Sequence, residues 1–277
     1  MSQALWIVPL VIFGIWLPQT RSLEFVFGAW IIGHVVAAGV FVFFLRKWPL
    51  PQLLVVPVNV RWIRERMLNS WFIYLSDLGL VGLIYIDRYI VGGMLGLTLT
   101  GVYTFYWSLT NALQTLVQTA VVQVALPVLV KTFQSGDIEA WKATLKRECV
   151  KTAAISIVLA VAIYGGSVLI IKLMSMDALR EHRLVFVFLL LAAIIRSCSD
   201  LLSLALASQN RDGHYAAINI GGIFLSVALA FIGILLFGLN GAGLSAMLTA
   251  IVLLTVRILY LFSQNAAWLP KRMLWVK

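Results

Sequence analysis

Residues 152–173 read TAAISIVLAVAIYGGSVLIIKL, a run of 22 residues in which Lys172 is the only charged side chain. An α-helix rises about 1.5 Å per residue and the hydrocarbon core of a bilayer is about 30 Å thick, so roughly 20 apolar residues suffice to cross it. This run therefore predicts a transmembrane helix.

The composition of the whole chain agrees with that prediction. Of 277 residues 62% are hydrophobic and 12% are charged, and the mean hydropathy is +0.98. A soluble domain carries about 25% charged residues, so this chain has too little charge for a surface that faces water. The composition excludes a soluble globular protein, a disordered chain and a fibrous repeat. Cys149 and Cys198 have no metal-ligand spacing and cannot form a disulfide framework.

Seven further apolar segments occur, and the first of them is too short to cross a bilayer before Pro18 interrupts it. The eight segments cover approximately residues 4–17, 25–45, 71–91, 101–124, 152–173, 184–207, 215–238 and 241–262. We expect an all-α, polytopic helical membrane protein with about eight transmembrane helices.

The distribution of basic residues predicts the orientation. If the N-terminus is cytoplasmic, 14 of the 21 Lys and Arg residues fall in inner loops and 4 in outer loops. Such a bias sets the orientation of membrane proteins and places both termini in the cytoplasm. It also explains most of the net charge of +10 without a nucleic-acid partner. Three arginines remain inside spans: Arg88, Arg196 and Arg257.

Two inner segments connect groups of spans. Residues 46–70 contain three prolines and a basic stretch, and they predict either an interfacial linker between two helix groups or an ordinary positive loop. Residues 131–151 carry both charge signs and predict a short amphipathic helix, and residues 264–277 form a cytoplasmic tail.

The third span contains Asp77, Asp87 and Arg88. Asp77 and Arg88 share one helix face but are about 16 Å apart along the axis, so each needs a partner on another helix or contact with water. Arg88 alternatively extends its side chain to the outer interface. We interpret His34, which is alone in the second span, as a packed core residue rather than a proton relay.

The fourth span carries a polar stripe that helical spacing places on one face, widened by two more glutamines. Hydroxyls and amides can act as packing contacts between helices, but a stripe of this length favours the lining of an aqueous cavity. The stripe comprises Thr104, Ser108, Asn111, Thr115 and Gln118, with Gln114 and Gln123 beside it.

The sixth span places Arg196, Ser199, Asp200 and Ser203 on one face, with Arg196 close to the bilayer midplane. The four-residue spacing allows an ion pair between Arg196 and Asp200 within the helix, although Arg before Asp is the less favourable order. The alternative is that Arg196 presents its guanidinium to an anionic ligand such as a phosphate.

Catalytic motifs are absent from the sequence. It has no P-loop, no H-E-x-x-H, no C-x-x-C and no G-x-S-x-G, and the outer loops offer only Glu24, Asp177 and Glu181 as acidic groups. We therefore expect transport rather than enzymatic activity, with no cofactor and no bound metal.

The run Ile86–Gly96, with Asp87 before a glycine-containing turn, and the following Gly101-Val102-Tyr103 and Trp107-Ser108-Leu109 resemble a pattern in polysaccharide flippases. These O-antigen-type flippases belong to the multidrug/oligosaccharidyl-lipid/polysaccharide exporter superfamily. The stretch Ala207–Asn210 and Asn219 also resemble an inner turn of that family.

The resemblance implies two six-helix lobes with a lipid-linked sugar crossing between them. Residues 71–263 would form the C-terminal lobe and residues 1–45 two helices of an incomplete N-terminal lobe that lacks its first four helices. The implied substrate is an oligosaccharide on polyprenyl pyrophosphate, moved across a bacterial plasma membrane by alternating access, with a polysaccharide polymerase as a further partner.

The resemblance also implies a substrate pathway through the protein. We assign this pathway to polar residues of three spans. These candidates are Asp77, Asp87, Arg88, Ser108, Asn111, Gln114, Thr115, Gln118, Arg196, Ser199 and Asp200. Other hypotheses are a membrane glycosyltransferase or ligase of the same pathway, a multidrug exporter of the superfamily, and a remnant without transport activity.

Overall fold

The computed structural model describes residues 23–45, 59–173, 177–209 and 212–263. The described residues are helical apart from short turns. The helices are α1 (Leu23–Leu45), α2 (Val60–Leu95), α3 (Leu97–Val117), a π-helical turn (Gln118–Val122), α4 (Gln123–Gln134), α5 (Ile138–Leu173), α6 (Asp177–Glu181), α7 (Arg183–Ala207) and α8 (Asp212–Ser263).

Six of the described helical stretches are long and apolar enough to cross a membrane, which confirms the all-α polytopic prediction. They are Phe27–Phe44, Asp77–Leu95, Leu97–Gln134, Ile138–Leu173, Arg183–Leu206 and Ala216–Leu261. The last stretch contains two predicted spans, 215–238 and 241–262, joined at Gly238. The predicted short span 4–17 and the tail 264–277 lie outside the described residues.

The chain divides into two compact units, residues 1–65 and residues 66–277. The first contains α1, a helix whose only side chains able to carry charge are Glu24 and His34. The second contains the other helical packing described below. The assignment of residues to lobes and linker stays a prediction.

Glycines make the tight turns at two helix junctions. Gly96, with a φ of 83°, is the single residue between α2 and α3, and Gly238, with a φ of 56°, interrupts α8. A positive φ is open to glycine without steric cost, whereas other residues are strained there. We call residues 212–237 and 239–263 the first and second arms of α8.

The two arms of α8 run back along each other. The Ser245 hydroxyl of the second arm donates to the Leu229 carbonyl of the first at 2.6 Å. A Cβ on Gly241 would overlap the carbonyl of Gly233, so this close approach requires glycine. Small residues allow helix backbones to pack closely in membranes, where apolar surface alone does not drive helices together.

Helix α7 lies at the centre of the second unit and contacts α3, α5 and both arms of α8. Phe186 of α7 stacks on Tyr106 of α3, with 4.7 Å between ring centroids, and on Tyr164 of α5, with 5.9 Å. Helix α2 packs against the first arm, where Gly79 and Gly82 meet Asn219 and Ile223. These contacts place α2, α3, α7 and α8 around one space.

Two helices begin earlier than the predicted spans that they contain. Residues 138–151 do not form a separate short amphipathic helix, because they are the first turns of α5. Asp137 caps the start of α5: its carboxylate accepts the Ala140 N–H at 2.9 Å. Similarly, residues 60–70 are the start of α2, capped by the Asn59 side chain, which accepts the Trp62 N–H at 3.0 Å. No proline follows Pro57 in this region, so nothing there breaks the helix.

Candidate functional site

A polar cavity of about 360 Å³ lies between α2, α3, α7 and the second arm of α8. Its apolar lining comes mainly from α2 and the second arm, and its polar lining from α3, the π-helical turn, Gln123 of α4, α7 and Arg257 of the second arm. The lining residues are Leu80, Leu83, Ile84, Asn111, Gln114, Thr115, Gln118, Thr119, Gln123, Arg196, Ser199, Asp200, Ser203, Leu204, Ala250, Leu253 and Arg257.

One wall of the cavity consists of neutral polar side chains from the fourth predicted span. Within the described part of the chain, the amides of Asn111, Gln114 and Gln118 form no hydrogen bond, so their donors and acceptors are available to a ligand. The Thr115 hydroxyl donates to the Asn111 carbonyl at 2.9 Å, and this leaves the hydroxyl oxygen available as an acceptor. Such a wall is suited to hydroxyl-rich ligands.

The π-helical turn Gln118–Val122 widens this wall. The Gln123 N–H bonds the Gln118 carbonyl five residues earlier, instead of the carbonyl four residues earlier as in an α-helix. The wide turn brings Gln118, Thr119 and Gln123 to the same cavity. The sequence prediction missed the turn, although the five-residue step from Gln118 to Gln123 within the polar stripe is its signal.

The opposite wall is organised around Arg257, which is only 2% exposed. Its Nη1 donates to the Ser199 hydroxyl at 2.5 Å and its Nη2 to the Asn219 side-chain oxygen at 2.8 Å. The Asp200 carboxylate lies 3.6 Å from Nη1. Arg257 thus joins α7 to both arms of α8, because its planar guanidinium presents several donors in fixed directions.

Arg196 is one turn from this cluster and differs from it. The ion pair that the sequence allowed between Arg196 and Asp200 is not formed, since Asp200 pairs with Arg257 instead. Arg196 is half-buried in the cavity wall and makes no hydrogen bond or ion pair with a described residue. Its guanidinium is therefore the cationic group of the cavity that is available to an anion.

Seven of the eleven predicted pathway residues line the cavity. They are Asn111, Gln114, Thr115, Gln118, Arg196, Ser199 and Asp200. Arg257, Thr119 and Ser203 also line it and were not among the predicted pathway residues. Arg257 had a signal in the sequence, namely a charge within an apolar span, but its partners lie on other helices and could not be inferred.

Four predicted pathway residues do not line the cavity. Asp77 is exposed on α2, and Ser108 is exposed with its hydroxyl bonded to the Thr104 carbonyl of its own helix at 2.8 Å. Arg88 lies over the rings of Tyr85 and Trp107, with 4.6 and 3.7 Å from its guanidinium carbon to the ring centroids. This cation–π contact supplies the partner on another helix that the sequence required for Arg88.

Asp87 is 5% exposed and belongs to the helical hairpin at Gly96. Its Oδ2 accepts the Tyr103 hydroxyl at 2.7 Å and its Oδ1 accepts the Arg88 N–H at 2.8 Å. Asp87 and Tyr103 both belong to the pattern that resembles flippases. They bond each other across the turn, which is consistent with a part in holding α2 and α3 together.

Other residues singled out in the sequence are not among those that line this cavity. His34 is exposed rather than packed in a core, and its Nδ1 hydrogen-bonds the Trp30 carbonyl at 2.9 Å. Glu24 and Glu181 are exposed, and the side chain of Asp177 lies outside the described residues.

The comparison with known families gives one match. Residues 1–133 match the model of a family described as polysaccharide biosynthesis protein. The chain is similar to this family over those residues. The match supports the resemblance over residues 1–133, which include Asp87, Tyr103 and the polar wall of α3. The apolar helices of the described residues indicate a multi-pass membrane protein. No curated protein and no solved structure matches the chain.

Proposed function

We propose that the chain moves a lipid-linked oligosaccharide, carried on polyprenyl pyrophosphate, from the inner to the outer leaflet of a bacterial plasma membrane. The observation that carries this proposal is the cavity with amides on one wall and the available Arg196 on the other. The family match supports the pathway.

The two walls suit the two polar parts of such a substrate. Sugar hydroxyls both donate and accept hydrogen bonds, as do the amides of Asn111, Gln114 and Gln118. A pyrophosphate carries negative charge, and a guanidinium forms forked hydrogen bonds with phosphate oxygens. Charged groups are costly in a membrane interior, so a polar cavity lowers the barrier to moving the headgroup between leaflets.

Transport would proceed by alternating access, with the chain exposing the cavity to one leaflet and then to the other. Arg257 and its partners hold α7 and α8 together, while Arg196 contacts the pyrophosphate. This assigns binding to Arg196 and positioning to Arg257.

A complementation experiment tests the proposal. The complete open reading frame is expressed in a bacterium deleted for it, and surface polysaccharide is measured together with the amount of protein in the membrane. Arg196→Ala should reduce surface polysaccharide at least tenfold, because loss of a hydrogen bond to a charged group costs about 1.5–3 kcal/mol. Arg196→Lys should keep part of the activity, since it retains the charge but not the fork.

Ser108→Ala is the matched control, because Ser108 lies on the same stripe as Asn111 but does not line the cavity. It should leave surface polysaccharide unchanged. Normal export by Arg196→Ala at normal protein level would exclude Arg196 from the mechanism. Accumulation of lipid-linked oligosaccharide in the inner leaflet of the deletion strain separates a flippase from a glycosyltransferase, whose loss would leave incomplete glycan.

A further inference from the structure

A second cavity, which we call the lipid groove, lies between the beginning of α5, α7 and the second arm of α8. Its volume is about 610 Å³. Of its twelve lining residues, Lys142 and Lys146 are the only two that carry a charge, and its wall includes Leu145, Ala153, Leu254 and Ile258.

The lipid groove is separate from the polar cavity, although α7 and the second arm of α8 line both of them. On the second arm, Leu253 and Arg257 line the polar cavity, whereas the next residues, Leu254 and Ile258, line the lipid groove. The groove therefore has no part in the proposed binding of the oligosaccharide.

The length of the lipid groove corresponds to one leaflet. It follows α5 from Lys142 to Ala153, eleven helical steps that together rise about 16 Å, which is about half the thickness of a bilayer core. Its charged end adjoins Leu261, near the end of α8. The distribution of basic residues assigns this end to the cytoplasm.

The two lysines lie four residues apart, so they share one face of α5 at the mouth of the groove. Lys142 bonds Glu139 at 2.9 Å, but Glu139 is 84% exposed and such a surface pair is weak. Lys146 forms no ion pair with a described residue. Lys142 and Lys146 thus place positive charge beside a groove whose wall is otherwise apolar.

We propose that the lipid groove binds an anionic phospholipid of the cytoplasmic leaflet. One acyl chain lies along the groove wall, and the headgroup phosphate contacts Lys142 and Lys146. The cytoplasmic leaflet is rich in anionic lipid, which attracts basic residues at its surface. A bound chain also fills an apolar space that three helices leave between them, and interiors pack with few voids.

The test is lipid binding to the purified full chain in detergent, measured by native mass spectrometry with phosphatidylglycerol and with phosphatidylcholine of the same acyl chains. Phosphatidylglycerol should bind more tightly. The double variant Lys142→Gln/Lys146→Gln should lose roughly tenfold of that affinity. Lys172→Gln, at the other end of the same helix and away from the groove, is the matched control and should bind as the unaltered chain does.

Two further measurements keep the test independent of folding and of export. In a Cys198→Ser background, phosphatidylglycerol should slow the reaction of Cys149 with N-ethylmaleimide, because Cys149 lines the groove. Ala153→Phe should fill the groove and weaken both phospholipids. Equal binding of the two phospholipids, an unaffected double variant, or preferential protection of Cys149 by undecaprenyl phosphate would overturn the proposal. None of these readouts depends on transport, so loss of the proposed function would leave them interpretable.

Discussion

The regions around Arg196 and Arg257 differ although both arginines line the same cavity. Arg257 is 2% exposed and bonds residues of α7 and of the first arm of α8, whereas Arg196 is half-buried and makes no hydrogen bond or ion pair with a described residue. A buried charge must be compensated by the fold, while an unsatisfied one at a cavity wall can be compensated by a ligand. The comparison therefore separates a positioning arginine from a binding arginine.

The largest expected effect comes from breaking the Arg257 cluster. Arg257→Met should destabilise the protein by about 3 kcal/mol, because it leaves Asp200 without its ion-pair partner and removes donors from Ser199 and Asn219. Thermal unfolding in detergent measures this effect. The double variant Arg257→Met/Asp200→Leu should recover part of the loss, since removing both charges is less costly than removing one. A double variant less stable than Arg257→Met would show that the pair itself does not matter.

A smaller effect is expected at the Gly96 hairpin. Tyr103→Phe removes the hydroxyl that donates to Asp87 and should cost about 1–2 kcal/mol, because it leaves a buried carboxylate oxygen without that donor. The same unfolding measurement applies, with Tyr89→Phe as control, since Tyr89 is exposed. A midpoint equal to that of the unaltered chain would mean that the hydrogen bond does not hold the hairpin.

Asn219→Leu tests the Arg257 cluster at one of the hydrogen-bond acceptors of Arg257. It removes one acceptor of Arg257 and leaves Ser199 and Asp200 in place, so the loss should be about 1 kcal/mol, less than for Arg257→Met. If Asn219→Leu destabilised the protein as much as Arg257→Met, Asn219 would be the centre of the cluster.

The smallest effect on stability should come from Arg196→Gln. Because Arg196 makes no hydrogen bond or ion pair with a described residue, the unfolding midpoint of this variant should stay within the equivalent of about 0.5 kcal/mol of the unaltered chain. The export of surface polysaccharide by Arg196→Gln should nevertheless fall. A large loss of stability would instead place Arg196 with Arg257 as a structural residue.

The helical membrane fold could be predicted from the sequence because apolar runs of bilayer length mark most of its helices. The polar stripe of α3 was visible for the same reason, since helical spacing within one span predicts a shared face. The role of Arg257 was not visible, because its partners Ser199 and Asn219 are 58 and 38 residues away. The spacing allows an Arg196–Asp200 pair as one alternative, and spacing within one helix cannot detect a competing arginine on another.

The π-helical turn has a consequence for the helix that follows it. Each residue of an α-helix rotates the chain by about 100°, so one extra residue in a turn rotates everything after it by about that angle. Without the wide turn at Gln118–Val122, the register of α4 would shift, and the buried Ala125 and Leu129 would leave the core for another direction. A single extra residue thus sets the rotation of α4 relative to α3. It allows the glutamines before and within the turn to face the cavity and the apolar side chains after it to face the core.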